Sequence, residues 1–214
     1  MPARNPLRIA RLLVSLGQLT KNLERLDRVF EINAHLVALR TPAEEAAVVT
    51  DFGSTPAGAR ALRERLRQRF DLKALEALPE TTLGGAYALF MKQRGLSADS
   101  LPDLETPSDI AYVIAHFYET HDLWHVVTGF DTDPAGELGV QAFLLAQSRA
   151  YLPLLLMGSI LLNTAVYAYD QREARLDALV RGWTMGRKAS NVVGLDWRPC
   201  LDRPLAQVRA ELGL

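Results

Sequence analysis

The chain has 214 residues, of which 49% are hydrophobic and 23% are charged, a composition that excludes a disordered protein. Lys and Arg number 24 against 25 Asp and Glu, and a net charge of -1 argues against a nucleic-acid-binding protein, which normally has a basic excess. The single cysteine, Cys200, excludes an intramolecular disulfide framework and predicts a reducing compartment.

The N-terminal stretch, residues 6 to 39, has apolar side chains at helical spacing with Arg and Lys between them. This pattern predicts an amphipathic helix, broken near Gly17, that packs on a core. A second interpretation is contact with a membrane surface, because Arg4, Arg8 and Arg11 stand among apolar residues. The first residues show neither a secretory signal nor an Arg-rich transit peptide, so we expect a cytoplasmic protein.

Helix signals continue through the middle of the chain. A second helix is predicted from Pro42, then a loop over residues 51 to 56, a basic helix over 57 to 70, and a helix over 83 to 94 that ends at Gly95. The basic helix contains Arg60, Arg63, Arg65, Arg67 and Arg69. These arginines form a solvated charged face or, alternatively, bind phosphate or lipid headgroups. No stretch alternates apolar and polar residues over a strand length, which predicts an all-α fold.

Residues 151 to 169 form the most apolar run, with no charged residue over 19 positions. Their number makes them a borderline transmembrane candidate, but Pro153, Asn163 and Thr164 within the run favour a buried helix. The preceding stretch, 138 to 150, is nearly as apolar, and two such helices in succession are typical of the centre of a helical bundle. We therefore predict a single domain over the whole chain, with a central apolar helix pair. A membrane span and contact with one membrane leaflet are the alternatives.

The strongest chemical signal follows a loop predicted over residues 96 to 106, on a helix that opens at 107 to 109. The apolar stripe of this helix continues through His121 and His125, so both histidines occupy core positions. At about 100° per residue, His125 lies roughly 40° round the helix axis from His121 and one turn along it. Asp122 lies roughly 60° from His125, so the three side chains project into one arc.

The helix is expected to end near Gly129, and a second helix to start with Asp133 as its N-cap and Pro134 as its first residue. Glu137 then lies one turn into an apolar helix, where an isolated carboxylate is costly to desolvate. Two neutral imidazoles and two carboxylates balance the charge of a divalent cation. The pattern predicts one interhelical metal site formed by His121, Asp122, His125 and Glu137.

These residues also carry a family resemblance. His121-Asp122-Leu-Trp-His125, followed after eleven residues by Glu137, matches the HDxxH-x11-E signature of the ubiquinone (coenzyme Q) biosynthesis family named for the fourth protein of the coenzyme Q series. Further similar positions are Leu83-Gly84, Tyr87, Phe90, Ala111-Tyr112, Thr128-Gly129, Gly136, Gly186-Arg187 and Trp197. The resemblance covers residues 78 to 214. It departs at Gly85, where the family often has a basic residue, and the missing transit peptide makes the chain similar to a bacterial-type member.

The resemblance implies a mostly α-helical fold, a divalent metal (usually taken as zinc) on the four motif residues, and an apolar cavity for a polyprenyl chain. It also implies a homodimer, peripheral association with the inner (cytoplasmic) membrane, and partnership with other ubiquinone-biosynthesis enzymes. The activity assigned to the family is oxidative decarboxylation at ring carbon one of a polyprenylated hydroxybenzoate. Two histidines with a carboxylate also suit Fe²⁺, and Mn²⁺ is a further candidate.

A ubiquinone precursor has an isoprenoid tail and a polar ring, so its site needs an apolar groove with a polar centre at the mouth. The candidate groove residues are Leu144, Leu154, Leu155, Ile160 and Leu161, and Arg187 is a candidate for binding a substrate carboxylate or phosphate. In the predicted mechanism the cation, held by His121, binds the ring hydroxyl and carboxylate oxygens and stabilises the charge that develops as CO₂ leaves. Asp122 or Glu137 passes a proton.

Three alternatives compete with a decarboxylase. A non-catalytic lipid-binding scaffold would have a structural metal whose four ligands close the coordination sphere. A zincin-like hydrolase would use Asp122 as its general base and needs a third ligand further downstream. An HD-type phosphohydrolase needs an additional upstream histidine, and only His35 and His116 are available there. Both are otherwise expected to be structural or surface residues.

Overall fold

The structure is a computed structural model that describes residues 5–96 and 104–214. These residues form eleven α-helices and no β-strand, which confirms the all-α fold. The helices are α1 (Pro6–Lys21), α2 (Leu26–Leu39), α3 (Pro42–Phe52), α4 (Pro56–Glu64), α5 (Leu72–Glu76), α6 (Leu83–Gln93), α7 (Asp109–Thr128), α8 (Pro134–Gln147), α9 (Leu152–Tyr167), α10 (Arg172–Lys188) and α11 (Leu205–Leu212). Most of the loop predicted over 96 to 106, and Arg4, lie outside the described residues.

The N-terminal helix is interrupted, but not where the sequence predicted. α1 continues through the exposed Gly17 to Lys21, and the break falls between α1 and α2. There the Asn22 side chain accepts a hydrogen bond from the backbone N–H of Glu24 at 3.0 Å. Asparagine commonly ends helices in this way, because its side chain competes with the helical hydrogen bonds of the backbone.

The predicted basic helix over residues 57 to 70 is too long, because α4 ends at Glu64. Arg65 follows in the left-handed conformation, with φ of 51°, and the chain then runs without helical structure to residue 71. In this segment the side chains of Arg67 and Arg69 donate hydrogen bonds to Glu119 on α7. A partner that is distant in sequence therefore draws this segment out of the helix.

The chain folds as two compact units, each built from two separate stretches of sequence. Unit 1 comprises Met1–Glu45 and Asp131–Arg187. In its described part α9 packs against α1, α2 and α8, so the predicted pair of consecutive apolar helices, α8 and α9, is in contact. One apolar cluster joins α1, α2 and α9 through Leu12, Leu19, Ile32, Leu39 and Leu156. A second joins α8 to α9 through Leu138, Ala142, Met157 and Ile160.

Unit 2 comprises Ala46–Phe130 and Lys188–Leu214. Its longest helix, α7, packs against α4, α6 and α11, and α5 packs against α6. The largest fully buried side chains of this unit include Tyr112, Trp124 and Trp197. Because α7 is enclosed by other helices, the side chains on its inward faces are held in defined positions.

Within residues 5–96 and 104–214, no helix combines the length and the apolar character that crossing a membrane requires. The apolar run predicted over 151 to 169 forms the 16-residue helix α9 and a short 3₁₀ turn at Tyr169–Gln171.

Candidate metal centre

The two histidines of the motif lie on the C-terminal half of α7. Local chemistry defines both ends of this helix, because the Ser108 side chain accepts a hydrogen bond from the backbone N–H of Ala111 and Gly129 caps the C-terminus with φ of 74°. His121 and His125 are four residues apart and therefore share a face. Their ring centroids are 4.8 Å apart, so one metal ion can contact both imidazoles.

The third candidate ligand, Glu137, lies in the first turn of α8. As predicted, Asp133 is the N-cap of this helix and Pro134 its first residue, and the Asp133 side chain accepts a hydrogen bond from the backbone N–H of Gly136 at 2.7 Å. Glu137 is half-buried and lies in the first turn of this helix, where the positive end of the helix dipole attracts negative charge.

Three of the four predicted ligands come together. His121, His125 and Glu137 each offer a ligand atom, and these atoms all lie within 4.8 Å of one another. All three residues belong to one continuous stretch, which runs from the end of α7 through a short turn into the first turn of α8. Among the described residues no further histidine joins this group, although the phosphohydrolase alternative requires one.

His125 is oriented for metal binding by its other ring nitrogen. Nδ1 lies 3.2 Å from the carbonyl oxygen of Phe130, and because a carbonyl oxygen can only accept, Nδ1 carries the proton. The lone pair is therefore on Nε2, and a backbone partner of this kind is typical of metal-ligating histidines. The buried ring also stacks on Phe90, with 5.7 Å between ring centroids, so its plane is held by this stacking as well as by the hydrogen bond.

Asp122 is not part of the group of three. Its Oδ1 lies 3.5 Å from Nδ1 of His121, so the carboxylate stands beside the first histidine rather than among the converging ligand atoms. Burial, together with this carboxylate, raises the pKa of the nearby Tyr87, which keeps its phenol protonated. The sequence identified Tyr87 only through the family resemblance.

The donor set of this group fits a divalent transition metal. Two neutral imidazole nitrogens and one carboxylate oxygen are ligands that Zn²⁺, Fe²⁺ and Mn²⁺ accept. Three protein ligands leave coordination positions open, which is typical of catalytic rather than structural sites.

The six residues predicted to bind the lipid or substrate lie in different environments. Leu144 and Ile160 are buried in the protein interior. Leu155 packs on the cluster of α1, α2 and α9, and Leu161 packs on the cluster of α8 and α9. Leu154, by contrast, is exposed, as is Arg187. The difference in exposure between Leu154 and Ile160 follows from helical geometry, because the two side chains are about 120° apart round the axis of α9. A shared polyprenyl groove remains a prediction.

Sequence reasoning missed a buried carboxylate in unit 2, that of Glu119 on α7. It accepts hydrogen bonds from Arg67, from Arg69 and from the backbone N–H of Gln68. Burial raises the pKa of Glu119, but these hydrogen bonds outweigh burial and hold the pKa below its usual value. Two arginines of the predicted basic helix therefore bind a glutamate, and no local pattern could show this because the partners are about fifty residues apart.

His116 has the structural role that was predicted for it. It is 1% exposed, and its Nε2 accepts a hydrogen bond from the backbone N–H of Gly194 at 3.1 Å. The Phe52 ring packs nearly perpendicular to the imidazole, with 5.2 Å between ring centroids. His116 thus connects α7 with the C-terminal loop of unit 2 and lies outside the group of metal-ligand candidates.

Comparison with known proteins places these features in one family. The family profile of "Coenzyme Q (ubiquinone) biosynthesis protein Coq4" matches residues 24–214. A mitochondrial ubiquinone biosynthesis protein coq4 from Talaromyces stipitatus is 31% identical over 168 residues, which are 75% of this chain and 57% of that protein. The corresponding protein of Botryotinia fuckeliana is 30% identical and is covered to 58%. The chain therefore matches less than three fifths of the length of these curated relatives.

A solved structure has the same fold. The crystal structure of a protein from Nostoc punctiforme that is assigned to ubiquinone biosynthesis superposes with a TM-score of 0.81 at 29% sequence identity. The superposition covers 95% of this chain and 97% of that one.

Proposed function

Because the chain belongs to the Coq4 family of ubiquinone biosynthesis proteins, we propose that it holds one divalent cation on His121, His125 and Glu137 and decarboxylates a polyprenylated aromatic precursor of ubiquinone there. The observation that supports this proposal is the approach of three ligand atoms to within 4.8 Å of one another. Zinc is the first candidate for the cation, with iron and manganese as the alternatives that the donor set allows.

The chemistry of the proposed reaction divides between the cation and the protein. A bound divalent cation supplies a Lewis acid that stabilises the negative charge developing as CO₂ leaves. Loss of CO₂ leaves the electron pair of the broken carbon–carbon bond on ring carbon one, and that carbon takes up a proton. Asp122, beside His121 but outside the group of three, is the side chain that we propose relays this proton from solvent water to the ring carbon, so that water replaces the proton in each turnover.

A scaffold that binds lipid without turnover is the second candidate function. It is favoured by the large apolar side chains that are exposed on α1, α9 and α10. Such surfaces usually mark an interaction site for a protein or a membrane. As a scaffold, the protein would form a homodimer at the inner surface of the cytoplasmic membrane and present the precursor to other ubiquinone-biosynthesis enzymes.

One assay separates the two functions. The protein is purified anaerobically and given a prenylated hydroxybenzoate whose carboxyl carbon is isotopically labelled, with and without dioxygen. Decarboxylation predicts release of labelled CO₂ that falls at least about 100-fold in His121→Ala, because a metal ligand is lost. The matched control, His35→Ala on α2, keeps full activity. Tight binding of the precursor with no CO₂ release under either condition would contradict the decarboxylase and support the scaffold.

A further inference from the structure

The polar and apolar sides of α9 are arranged in the reverse of the usual order. Its polar side chains, Ser159, Asn163 and Thr164, are all buried. Its exposed large side chains include Leu154, Leu162 and Val166, each more than half exposed. A helix on the surface of a water-soluble protein normally presents polar residues to the solvent and apolar residues to the core. Polar groups that face the protein and apolar groups that face outward are instead typical of a helix in contact with lipid.

The outward side of α9 is continuous and carries no polar group. At about 100° per residue, the exposed residues Leu154, Gly158, Leu162, Ala165 and Val166 fall within an arc of roughly 120°. Beyond this face the chain continues into Tyr167 and Tyr169, which are 59% and 65% exposed. Tyrosines at the end of an apolar helix face are typical of the headgroup level of a membrane, because the ring has an apolar body and a polar tip.

A buried cation lies beneath the C-terminal end of this helix. Arg175 on α10 is 7% exposed, and its Nη1 donates hydrogen bonds to Asn163 Oδ1 at 2.9 Å and to Thr164 Oγ1 at 2.8 Å. The Asn163 amide in turn donates to the carbonyl oxygen of Thr20 at 2.8 Å. These contacts connect α1, α9 and α10, and they fix the guanidinium plane of Arg175.

The charge of Arg175 has no carboxylate partner among the described residues. Its partners are the neutral side-chain oxygens of Asn163 and Thr164 near the C-terminal end of α9, whose helix dipole offsets part of the charge. They occupy only Nη1. Neither Nε nor Nη2 hydrogen-bonds to the described residues, and neither is among the fully buried nitrogens. This edge of a guanidinium presents two parallel N–H groups, which match the spacing of the oxygens of a phosphate.

We propose that the outer face of α9 docks on the surface of a phospholipid bilayer and that Arg175 binds a lipid phosphate at its edge. The apolar arc lies against the acyl chains, and the two tyrosines lie at the headgroup level. The exposed large apolar side chains described in the structure lie only on α1, on α9 with the turn after it, and on α10, all of them in unit 1. This inference rests on the membrane association that the second candidate function includes, and it is independent of the metal centre.

A bilayer fits this face better than a second copy of the chain does. An apolar interface with a second copy would leave the Nε–Nη2 edge of Arg175 without an oxyanion. A phospholipid supplies both the apolar surface and the phosphate in one molecule.

The test uses flotation of the whole chain with vesicles of two kinds. One kind is made of phosphatidylcholine and phosphatidylglycerol, and the other of galactolipid, which has no phosphate. Val166→Asp on α9 is compared with Val14→Asp on α1, because both valines are 59% exposed and the charge change is the same. Val166→Asp is expected to weaken binding to both kinds of vesicle at least about tenfold, and Val14→Asp to have a smaller effect.

Arg175→Lys keeps the charge but loses the paired donors. We expect it to weaken binding to phospholipid about tenfold and to leave binding to galactolipid unchanged. Lys188→Gln, which removes an exposed charge at the end of the same helix, controls for general electrostatic attraction. If circular dichroism shows that Arg175→Lys does not fold, the comparison of Val166→Asp with Val14→Asp still tests whether α9 is the docking face.

Four results would overturn the proposal. Equal weakening by Val14→Asp and Val166→Asp would show that α9 is not the docking face. Dissociation of a dimer by Val166→Asp, measured by sedimentation, would identify a second copy as the occupant. Stabilisation by inorganic phosphate that depends on Arg175, without vesicle binding, would identify free phosphate as the ligand. Binding to vesicles that no α9 or Arg175 variant changes would place membrane association elsewhere. His121→Ala, which tests the metal centre, is expected to leave vesicle binding unchanged.

Discussion

His116 is a buried histidine that remains neutral in the folded protein. Burial lowers its pKa from 6.5 to about 4, and Glu119 acts weakly in the opposite direction. Below about pH 6.5 the unfolded chain binds a proton at this position and the folded chain does not, so the free energy of unfolding decreases as the pH falls towards 4. The neutral ring is maintained by its enclosure and by the hydrogen bond that Nε2 accepts from Gly194.

Because His116 is protonated at a different pH in the folded and the unfolded state, the free energy of unfolding depends on pH. His116→Gln is expected to remove this dependence. The Gln side chain can accept the same hydrogen bond but does not titrate. Between pH 7 and pH 5 the natural protein is expected to lose about 2 kcal/mol more unfolding free energy than the variant. Urea unfolding at the two pH values measures this directly. An identical loss in both proteins would show that burial does not lower the pKa of His116 in the folded state.

Glu119 stabilises the segment after α4 through a charge that is almost fully enclosed. Its side chain is 1% exposed, and Arg67 and Arg69 are its ionic partners. Glu119→Ala is expected to lower the free energy of unfolding by about 2 kcal/mol, because it leaves the buried backbone N–H of Gln68 without its acceptor and removes the charged hydrogen bonds from Arg67 and Arg69. Denaturant unfolding at neutral pH provides the measurement.

The matched control is Arg60→Ala in α4. Arg60 pairs with Glu64 at 2.9 Å, but both side chains are exposed, so water screens the pair. We expect a change below about 0.5 kcal/mol. Equal effects of Arg60→Ala and Glu119→Ala would contradict the distinction between a solvated ion pair and an enclosed one.

At the scale of elements, the packing of α10 on α8 depends on a close approach of their backbones. A Cβ atom on Gly182 would lie 2.0 Å from the carbonyl oxygen of Gly139. Gly182→Ala is therefore expected to force the helices apart and to cost about 1–3 kcal/mol of unfolding free energy. Gly17→Ala is the opposite case, because a Cβ there meets nothing within 4 Å and Gly17 is exposed in the middle of α1.

Gly17→Ala is expected to stabilise the protein by about 0.5–1 kcal/mol, through the higher helix propensity of alanine. Thermal unfolding of the two variants side by side checks both signs. Stabilisation by Gly182→Ala would show that α8 and α10 are not in close contact.

Elements whose ends depend on neighbouring residues could be predicted from the sequence. Ser108, Gly129 and Asp133 each act through the backbone within a few residues, and the structure confirms the ends of α7 and the start of α8. The end of α4 could not be predicted, because it depends on Arg67 reaching Glu119 from a distant part of the chain. Apolar composition likewise indicated a helix at α9 but not that its polar residues face inward.

The same distinction applies to the candidate site. The spacing of His121 and His125 predicts a shared helix face, and the turn residues predict where Glu137 enters α8. The position of Asp122 follows less directly, because a residue one step from His121 is turned about 100° round the helix. Its place beside His121 becomes visible only in three dimensions.

At the scale of the whole molecule, the proposed metal chemistry and the proposed membrane docking involve different residues. The candidate metal ligands lie on the stretch that joins the end of α7 to the start of α8. The outward apolar side chains lie on α1, α9 and α10. A protein that acts on a precursor with an isoprenoid tail needs both a polar centre for the ring and access to the phase in which the tail is dissolved. Substitutions in one feature are therefore expected to leave the other intact.

The central claim is that His121, His125 and Glu137 share one cation, and metal content tests it most directly. The natural protein, purified from metal-replete cells and analysed by mass spectrometry, is expected to contain about one equivalent of a divalent transition metal. His121→Ala, His125→Ala and Glu137→Ala should each weaken metal binding by more than about 100-fold, and Asp122→Asn by less. His35→Ala should match the natural protein. A natural protein that binds no metal, or a Glu137→Ala variant that binds it equally well, would contradict the account.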